Sequence, residues 1–316
     1  MPTKIVFAGL SSAGKTSMLL ALGKKFSLLQ SIKPTVGAER TTEKRLSFLG
    51  LDIINWDLGG QDLFRARYFT QKYRIFSETT VMFFLIDIQD SDIFESSLDY
   101  LKDIIKTYKD LNEKPKLVIC FHKFDPDIRN DSKILYNLKH LENTIHPIVE
   151  DFETYTCLTS IFDEVSIFKA FSEGVIANSP IAELIKIQLK EYSQAINCQA
   201  TVLLDNNSFI IGAYYSKKLF FNVCETVAPR FFIALEQLLD LPVITDHMIC
   251  KMRLKESTAS EGTNPTYSII SKLLIIHNTR FCVTSLTNKE DTLDLISKYL
   301  PALGENLANI LTNLKS

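Results

Sequence analysis

The sequence predicts an α/β protein: a doubly wound, mostly parallel sheet, followed by an α+β unit with an antiparallel sheet. Three observations carry this. Strand-like and helix-like segments alternate through the first half of the 316-residue chain, the pattern of a parallel sheet covered by helices. One of those strands, TVMFFLID (Thr80–Asp87), is apolar throughout, as a central parallel strand covered on both faces requires. Beyond ANSP (Ala177–Pro180) the order changes to helix, two strands, long helix, three strands, helix.

KIVFAG (Lys4–Gly9) reads as a buried strand, then a Gly/Ser turn, then a helix from about Lys15 to Lys24. EKRLSFL and DIINWD read as two adjacent strands. After Thr80–Asp87 a helix runs through SLDYLKDIIKTYKDL. KLVICFH (Lys116–His122) is another buried strand, YTCLTS (Tyr155–Ser160) the last, and FDEVSIFKAF is helical. ANSP breaks the helix and divides the chain into 1–179 and 180–316. IAELIKIQLKEYSQAI has the period of an amphipathic helix. ATVLLD and SFIIGAYY flank Asn206-Asn207, a hairpin signal. A long helix spans about Lys218 to Asp240, three strands follow in MICKMRL, YSIISKLLIIH and RFCVTSLT, and KESTASEGTNPT is a polar loop. The final helix covers about Lys289–Leu314, with Pro301 a place for a kink.

Composition bounds the function. Hydrophobic residues make up 46% and charged residues 23%, enough core for a globular chain of two domains. A net charge of −2 gives no overall electrostatic case for nucleic acid or an anionic membrane. Six cysteines (Cys120, Cys157, Cys198, Cys224, Cys250, Cys282) form no CxxC pair and read as small buried hydrophobes in a reducing, cytoplasmic setting. No apolar run nears the ~18 residues needed to cross a bilayer, so direct membrane insertion is not expected. Pro2 excludes N-myristoylation, and LTNLKS carries no prenylation cysteine.

GLSSAGKT (Gly9–Thr16) fits GxxxxGK[ST]. It follows a strand and opens a helix, the context that makes the motif credible. Its backbone N–H groups and the helix N-terminus favour phosphate. The loop residues are Ser11, Ser12, Ala13, Gly14, Lys15, Thr16 and Ser17. Lys15 reaches for the β- and γ-phosphates, and the Thr16 hydroxyl for Mg²⁺. HKFD (His122–Asp125) ends a strand and matches [NHT]KxD. Asp125 can accept two hydrogen bonds from the guanine edge, which adenine cannot supply. The stem of Lys123 would cover the base, and His122 either supports the loop or donates to the base. Thr159-Ser160-Ile161 ends the last strand, where a final base-contacting loop belongs.

In INWDLGGQDLF, Asp57 ends a strand as a Mg²⁺-linked carboxylate does. Gly60 can bring its N–H to the γ-phosphate, and Gln61 can orient the attacking water. Thr35, in an irregular stretch before the next strand, would close over Mg²⁺ and γ-phosphate as a first switch. DLFRARYF (62–69) is either a partner surface exposed in one nucleotide state or ordinary packing of Phe64, Tyr68 and Phe69. Arg65 or Arg67 is a candidate arginine finger.

With GLSSAGKTSM, INWDLGGQDLF, RYFTQKYRIF, VICFHKFDPD and LTSIFDEVSIFKAF in hand, the chain resembles the Rag/Gtr family of Ras-related GTPases. HK in place of NK and TSI in place of SAK set it apart from Arf-like proteins, which also carry WDLGGQ. The resemblance implies a P-loop GTPase domain (1–179) followed by a roadblock/longin-like dimerisation domain (180–316). It implies GTP/GDP and Mg²⁺ as ligands, with Thr16, Thr35 and Asp57 at the metal. Residues 11–17 would hold the phosphates, and His122, Asp125 and Ser160 the base. Gln61 occupies the position needed for hydrolysis, beside Lys15 and Thr35, and having Gln there favours the RagA/B type. The implied partners are another Rag-like GTPase or a second copy, a GTPase-activating protein, and a scaffold at a lysosomal or vacuolar surface. The implied role is to relay nutrient status to effectors. The competing readings are an Arf-like GTPase, a nucleotide-loaded scaffold with negligible turnover, and a P-loop kinase or ATPase, against which Asp125 argues.

Overall fold

The computed structural model describes residues 3–23, 38–41, 53–58, 67–176, 180–239, 241, 245–254 and 265–312, with only the backbone at 38–41, 53–57, 176 and 180. The chain divides into two compact units, Met1–Ala170 and Phe171–Ser316.

The first unit is built on a six-stranded sheet. Its strands are β1 (Thr3–Ala8), β2 (Ala38–Thr41), β3 (Ile53–Leu58), β4 (Val81–Asp87), β5 (Lys116–His122) and β6 (Thr154–Thr159). They lie in the order β2-β3-β1-β4-β5-β6. All neighbours pair in parallel except β2 and β3. The helices are α1 (Lys15–Leu22), α2 (Lys72–Phe76), α3 (Phe94–Asp110), α4 (Ser132–Val149) and α5 (Glu164–Phe171). Every residue of β4 is buried, as its continuous apolar run requires. Val6, Met82, Phe84, Ile119 and Phe121 join one core with Leu101, Ile104 and Tyr108 of α3 and Leu141 and Ile145 of α4. On alternate positions Ile5, Phe7, Phe83, Leu85 and Val118 are buried too, and the rings of Phe7 and Phe83 stack at 4.9 Å. Both faces are therefore covered, and the loops that follow the parallel strands gather at one edge of the sheet.

Two elements differ from the sequence reading. Residues 132–149, which carry no helix signal in the sequence reading, form α4. Asp131 caps α4 by accepting from Lys133 N at 2.7 Å and Ile134 N at 3.2 Å. Polar Asn137 interrupts its apolar stripe, but that residue is buried and donates to the Ile88 carbonyl at 3.0 Å. The strand pairing with β3 is Ala38–Thr41, ahead of EKRLSFL, which lies outside the described residues.

The second unit follows the element order read from its sequence. It contains α6 (Pro180–Ala195), β7 (Ala200–Leu204), β8 (Ile210–Tyr215), α7 (Lys218–Leu239), β9 (His247–Arg253), β10 (Thr266–Ile276), β11 (Thr279–Thr287) and α8 (Thr292–Thr312). The sheet order is β8-β7-β11-β10-β9, antiparallel throughout. One face packs Val202, Leu204, Ile269, Cys282 and Leu286 against Phe220, Cys224, Ala228, Phe232 and Leu235 of α7. The sheet also buries hydroxyls that pair with each other. Ser193 Oγ donates to Thr201 Oγ1 at 2.7 Å, and Ser271 and Thr284 hydroxyls meet at 2.7 Å. Pro301 lies inside the assigned span of α8.

The unit boundary at Ala170/Phe171 falls earlier than the ANSP division. Phe171 packs on Phe209 at 4.8 Å, and the Ser172 hydroxyl accepts from Ile210 N at 3.0 Å. All six cysteines are free thiols, four of them buried.

The β7–β8 hairpin turns at Asn206-Asn207 as expected and is organised by Asp205, to which the Asn207 side-chain amide also donates at 3.0 Å. The Asp205 carboxylate is 4% exposed. It accepts from Asn207 N at 3.0 Å and from Phe209 N at 2.9 Å, and Ser208 takes the left-handed conformation at φ 71°. Removing that acceptor strands buried donors, at about 1–3 kcal/mol each. We therefore expect Asp205→Ala to destabilise the second unit by about 2–3 kcal/mol in urea denaturation, and exposed Asn206→Ala by less than about 0.5 kcal/mol. Equal effects would refute this account of the turn.

Candidate functional site

The Gly9–Thr16 loop joins β1 to α1 at the edge where the parallel strands end. Gly9 has φ 145°, and a Cβ there would stand 2.4 Å from the Leu85 carbonyl oxygen, so no other residue fits. Ser12 takes the left-handed conformation at φ 63°. Gly14, at φ 91°, precedes α1 with no side-chain hydrogen bond capping the helix, and α1 carries no acidic residue in its first turn. The helix N-terminus therefore presents positive potential at the loop. Lys15 is 6% exposed, and its ammonium donates to the carbonyls of Gly9 at 3.0 Å and Leu10 at 2.9 Å. The charge is thus folded into the mouth of the loop. Ser11 and Ser12 are exposed, Ala13 is buried, and Thr16 and Ser17 are half-buried in the first turn of α1.

Behind this loop stands His122, at the end of β5 and 1% exposed. A Cβ on Gly14 would come within 2.4 Å of His122 Cδ2 and 2.6 Å of Nε2. The imidazole thus abuts the phosphate-loop backbone, and only glycine permits the approach. On its other side Nδ1 is 2.9 Å from the Thr159 hydroxyl, at the end of β6. Burial, with a smaller contribution from the Lys123 charge, pushes the imidazole down from 6.5 to about 4, so the ring is neutral at pH 7. The ring is turned to the loop and to Thr159, which is the geometry of a support.

Asp125 is the focus of a second set of bonds. Ser160 Oγ donates to its Oδ1 at 2.5 Å, and Gln89 Nε2 donates to its Oδ2 at 2.9 Å. Ser160 is fully buried. Its hydroxyl also accepts from Phe162 N at 3.0 Å, and its N–H is taken by Ser166 Oγ at 3.0 Å. Lys123 sits at φ 61°, and its ammonium pairs with Asp87 at the end of β4, 2.5 Å away. Phe124 N donates to the Thr159 carbonyl at 3.1 Å. Three strand ends, β4, β5 and β6, are thereby tied into one acceptor-bearing rim. Ile161 is half-buried in the turn after Ser160.

The structure therefore gathers the phosphate loop, His122, Lys123, Asp125 and Ser160 at one sheet edge. Asp57 is the last residue but one of β3, which runs one residue past it to Leu58, and its backbone lies in register beside Phe7 of β1, the strand that feeds the loop. Thr35, Gly60, Gln61 and Arg65 lie outside the described residues, as does the Asp57 carboxylate. In DLFRARYF, Tyr68 is 3% exposed, and Phe69 packs against Phe76 and Tyr100 at 6.1 and 6.2 Å. Those two side chains belong to the core, while Arg67 is exposed. Sequence reasoning missed Asp87, Gln89 and Ser166, and named Thr159 only as part of a base-contacting loop, not as the partner of His122. The apolar run of β4 ending in Asp87, opposite His122 in register, was the signal for the first two.

A neutral buried imidazole makes stability depend on pH with a definite sign. The unfolded chain takes its proton near pH 6.5, the folded one only near pH 4. The stabilisation is therefore complete above about pH 6.5 and is lost as pH falls toward 4, on the order of 3 kcal/mol in all. We expect His122→Asn to flatten the stability–pH curve between pH 4 and 6.5 in chemical denaturation. An unchanged slope would exclude His122 as its source.

Comparison with known proteins bears on this geometry. The family model described as the Gtr1/RagA G protein conserved region matches residues 4–228. Ras-related GTP-binding protein B of Rattus norvegicus is 25% identical over 247 residues, which covers 69% of this chain and 65% of that protein. GTP-binding protein GTR1 of Saccharomyces cerevisiae is 27% identical over 218 residues, covering 66% of this chain and 67% of that one. This chain thus spans about two thirds of the length of the relatives it matches. Among solved structures, the Arl6 BBS3 small GTPase from Trypanosoma brucei, with the nucleotide analogue GppNp, covers 55% of this chain and 95% of its own. Its TM-score is 0.43 at 16% identity. The family match extends over more than half of the chain, from β1 into α7, and the protein belongs to the Gtr1/RagA family of G proteins.

Proposed function

We propose that this protein is a guanine-nucleotide switch. It binds GTP and GDP with Mg²⁺, hydrolyses GTP slowly, and dimerises through its second unit. The observation that supports this best is the meeting of two recognition loops at one sheet edge, with Gly14 of the phosphate loop against His122 of HKFD. A phosphate cradle alone serves any nucleoside triphosphate. A carboxylate held at the adjacent strand ends favours guanine, whose N1–H and exocyclic amine are the donors it can pair. The relatives in rat and yeast are both named as GTP-binding.

The residues present suit the ligand. The loop N–H groups and α1 take the phosphates, and Lys15 transfers its ammonium from backbone carbonyls to phosphate oxygens. Mg²⁺, when bound, neutralises phosphate charge as a Lewis acid. Thr16, Thr35 and Asp57 are the residues assigned to hold it. Gln61 orients the attacking water, while Thr35 and Gly60 register the γ-phosphate and release when it leaves. Sites of this design turn over at about 10⁻⁴–10⁻³ s⁻¹ and gain about 10³–10⁵-fold from an arginine finger, so an activating protein is part of the proposal.

The second unit, with helix, two strands, helix, three strands and helix, has the element order of a roadblock/longin-type dimerisation domain. Its proposed partner is another Rag-like chain or a second copy. Among the described residues no helix is long and apolar enough to cross a membrane. We place the protein in the cytoplasm, held by a scaffold at a lysosomal or vacuolar surface, relaying nutrient-type signals.

Two measurements test this. Denaturing chromatography beside native mass spectrometry of the purified protein should find GDP or GTP in a dimer. ADP, ATP or an empty monomer would overturn the assignment. Single-turnover hydrolysis with a cognate activator should slow by at least about 100-fold in Gln61→Leu, whereas equal rates would remove Gln61 from the chemistry and favour a loaded scaffold.

A further inference from the structure

We infer that Gln89 is a positioning residue for base selection, because its side-chain amide fixes the Asp125 carboxylate in the orientation that reads a guanine edge. The inference rests on the guanine reading proposed above. Gln89 follows β4 by two residues, and its backbone N–H is held by Asp87 Oδ1 at 3.0 Å. The other oxygen of Asp87 pairs with Lys123 Nζ, so one carboxylate fixes the root of Gln89 and the neighbouring loop together. From that root, Nε2 of Gln89 donates to the Lys123 carbonyl at 2.8 Å and to Asp125 Oδ2 at 2.9 Å. Both partners are acceptors, so the amide nitrogen and not its oxygen must face them. One side chain thereby spans Lys123 to Asp125.

The consequence lies in the lone pairs. Each oxygen of a carboxylate accepts two hydrogen bonds. Ser160 uses one on Oδ1 and Gln89 one on Oδ2, and one remains on each oxygen for a pair of donors. Two donors arriving from different strand ends fix the carboxylate plane. With Ser160 alone, Asp125 can turn about a single bond, and a two-donor edge is met with one good contact instead of two. Gln89 is exposed, so its removal leaves no cavity, and its bond to Asp125 is charge-assisted and short-range.

The test is equilibrium binding of GDP, IDP and ADP to the full chain, as wild type, Gln89→Ala and Gln89→Glu. IDP lacks the exocyclic amine and offers one donor where GDP offers two. Wild type should prefer GDP to IDP. Gln89→Ala should cut that preference about tenfold and change IDP affinity by less than about threefold. Gln89→Glu keeps the shape but presents oxygen to oxygen, and should lose at least as much, which a packing role would not produce. A GDP-to-IDP preference kept within about twofold in both variants would overturn the role of Gln89 while leaving guanine binding intact. If wild type binds ADP as well as GDP, the guanine reading itself fails and this inference with it.

Discussion

The first unit depends on the contact between Gly14 and His122. A phosphate loop and a base loop come from different strands, and nothing in a doubly wound sheet sets their spacing to better than the thickness of a side chain. Here an imidazole fills the gap. It sits against loop backbone on one edge and the Thr159 hydroxyl on the other, so β1, β5 and β6 share a single spacer. Because the ring is neutral, it brings no charge to compete with Lys15 for anionic ligands. The same contact explains why the loop needs glycine at its last position, independently of any phosphate.

Polar groups around this spacer are tied in pairs. Asp87 serves Lys123 and Gln89, Asp125 is served by Gln89 and Ser160, and Ser166 closes the turn behind Ser160. Asp87 with Lys123, Gln89 with Asp125 and Asp125 with Ser160 each join two different strand ends, so the rim is held across β4, β5 and β6. Hydrogen-bond networks of this kind specify one arrangement more than they add stability.

Much of this was legible from sequence because it is local. Gly9–Thr16 has a fixed spacing and a strand–helix context, and the buried run of β4 announces a central strand. In the second unit the order of all eight elements was legible from hydrophobic runs together with the breaks at ANSP, Asn206-Asn207 and KESTASEGTNPT. What stayed hidden is non-local. His122 could be read as a base contact or a support, and only the placement of Gly14 against its ring distinguishes them. Gln89 lies more than thirty residues from Asp125, and no spacing rule joins them. α4 escaped because its stripe is broken by Asn137, whose amide is satisfied by a carbonyl on another element. Asp205 was overlooked beside Asn206-Asn207 because turn propensity identifies the tip of a hairpin, not the buried acceptor that holds it.

The paired hydroxyls of the second unit carry a further meaning. Ser271 faces Thr284 across β10 and β11, and Thr201 faces Ser285 across β7 and β11, each pair in direct register. If either strand slid by one residue, both pairs would break: Ser271 would stand opposite Val283 or Ser285, and Thr201 opposite Thr284 or Leu286. The sheet therefore carries an alignment key that favours the native register over a slip that sets a buried hydroxyl against Val283 or Leu286. Such a key matters most where, as at β8 and β9, an edge strand has no second strand partner among the described residues, because a foreign strand of similar hydrophobicity could otherwise be admitted out of step.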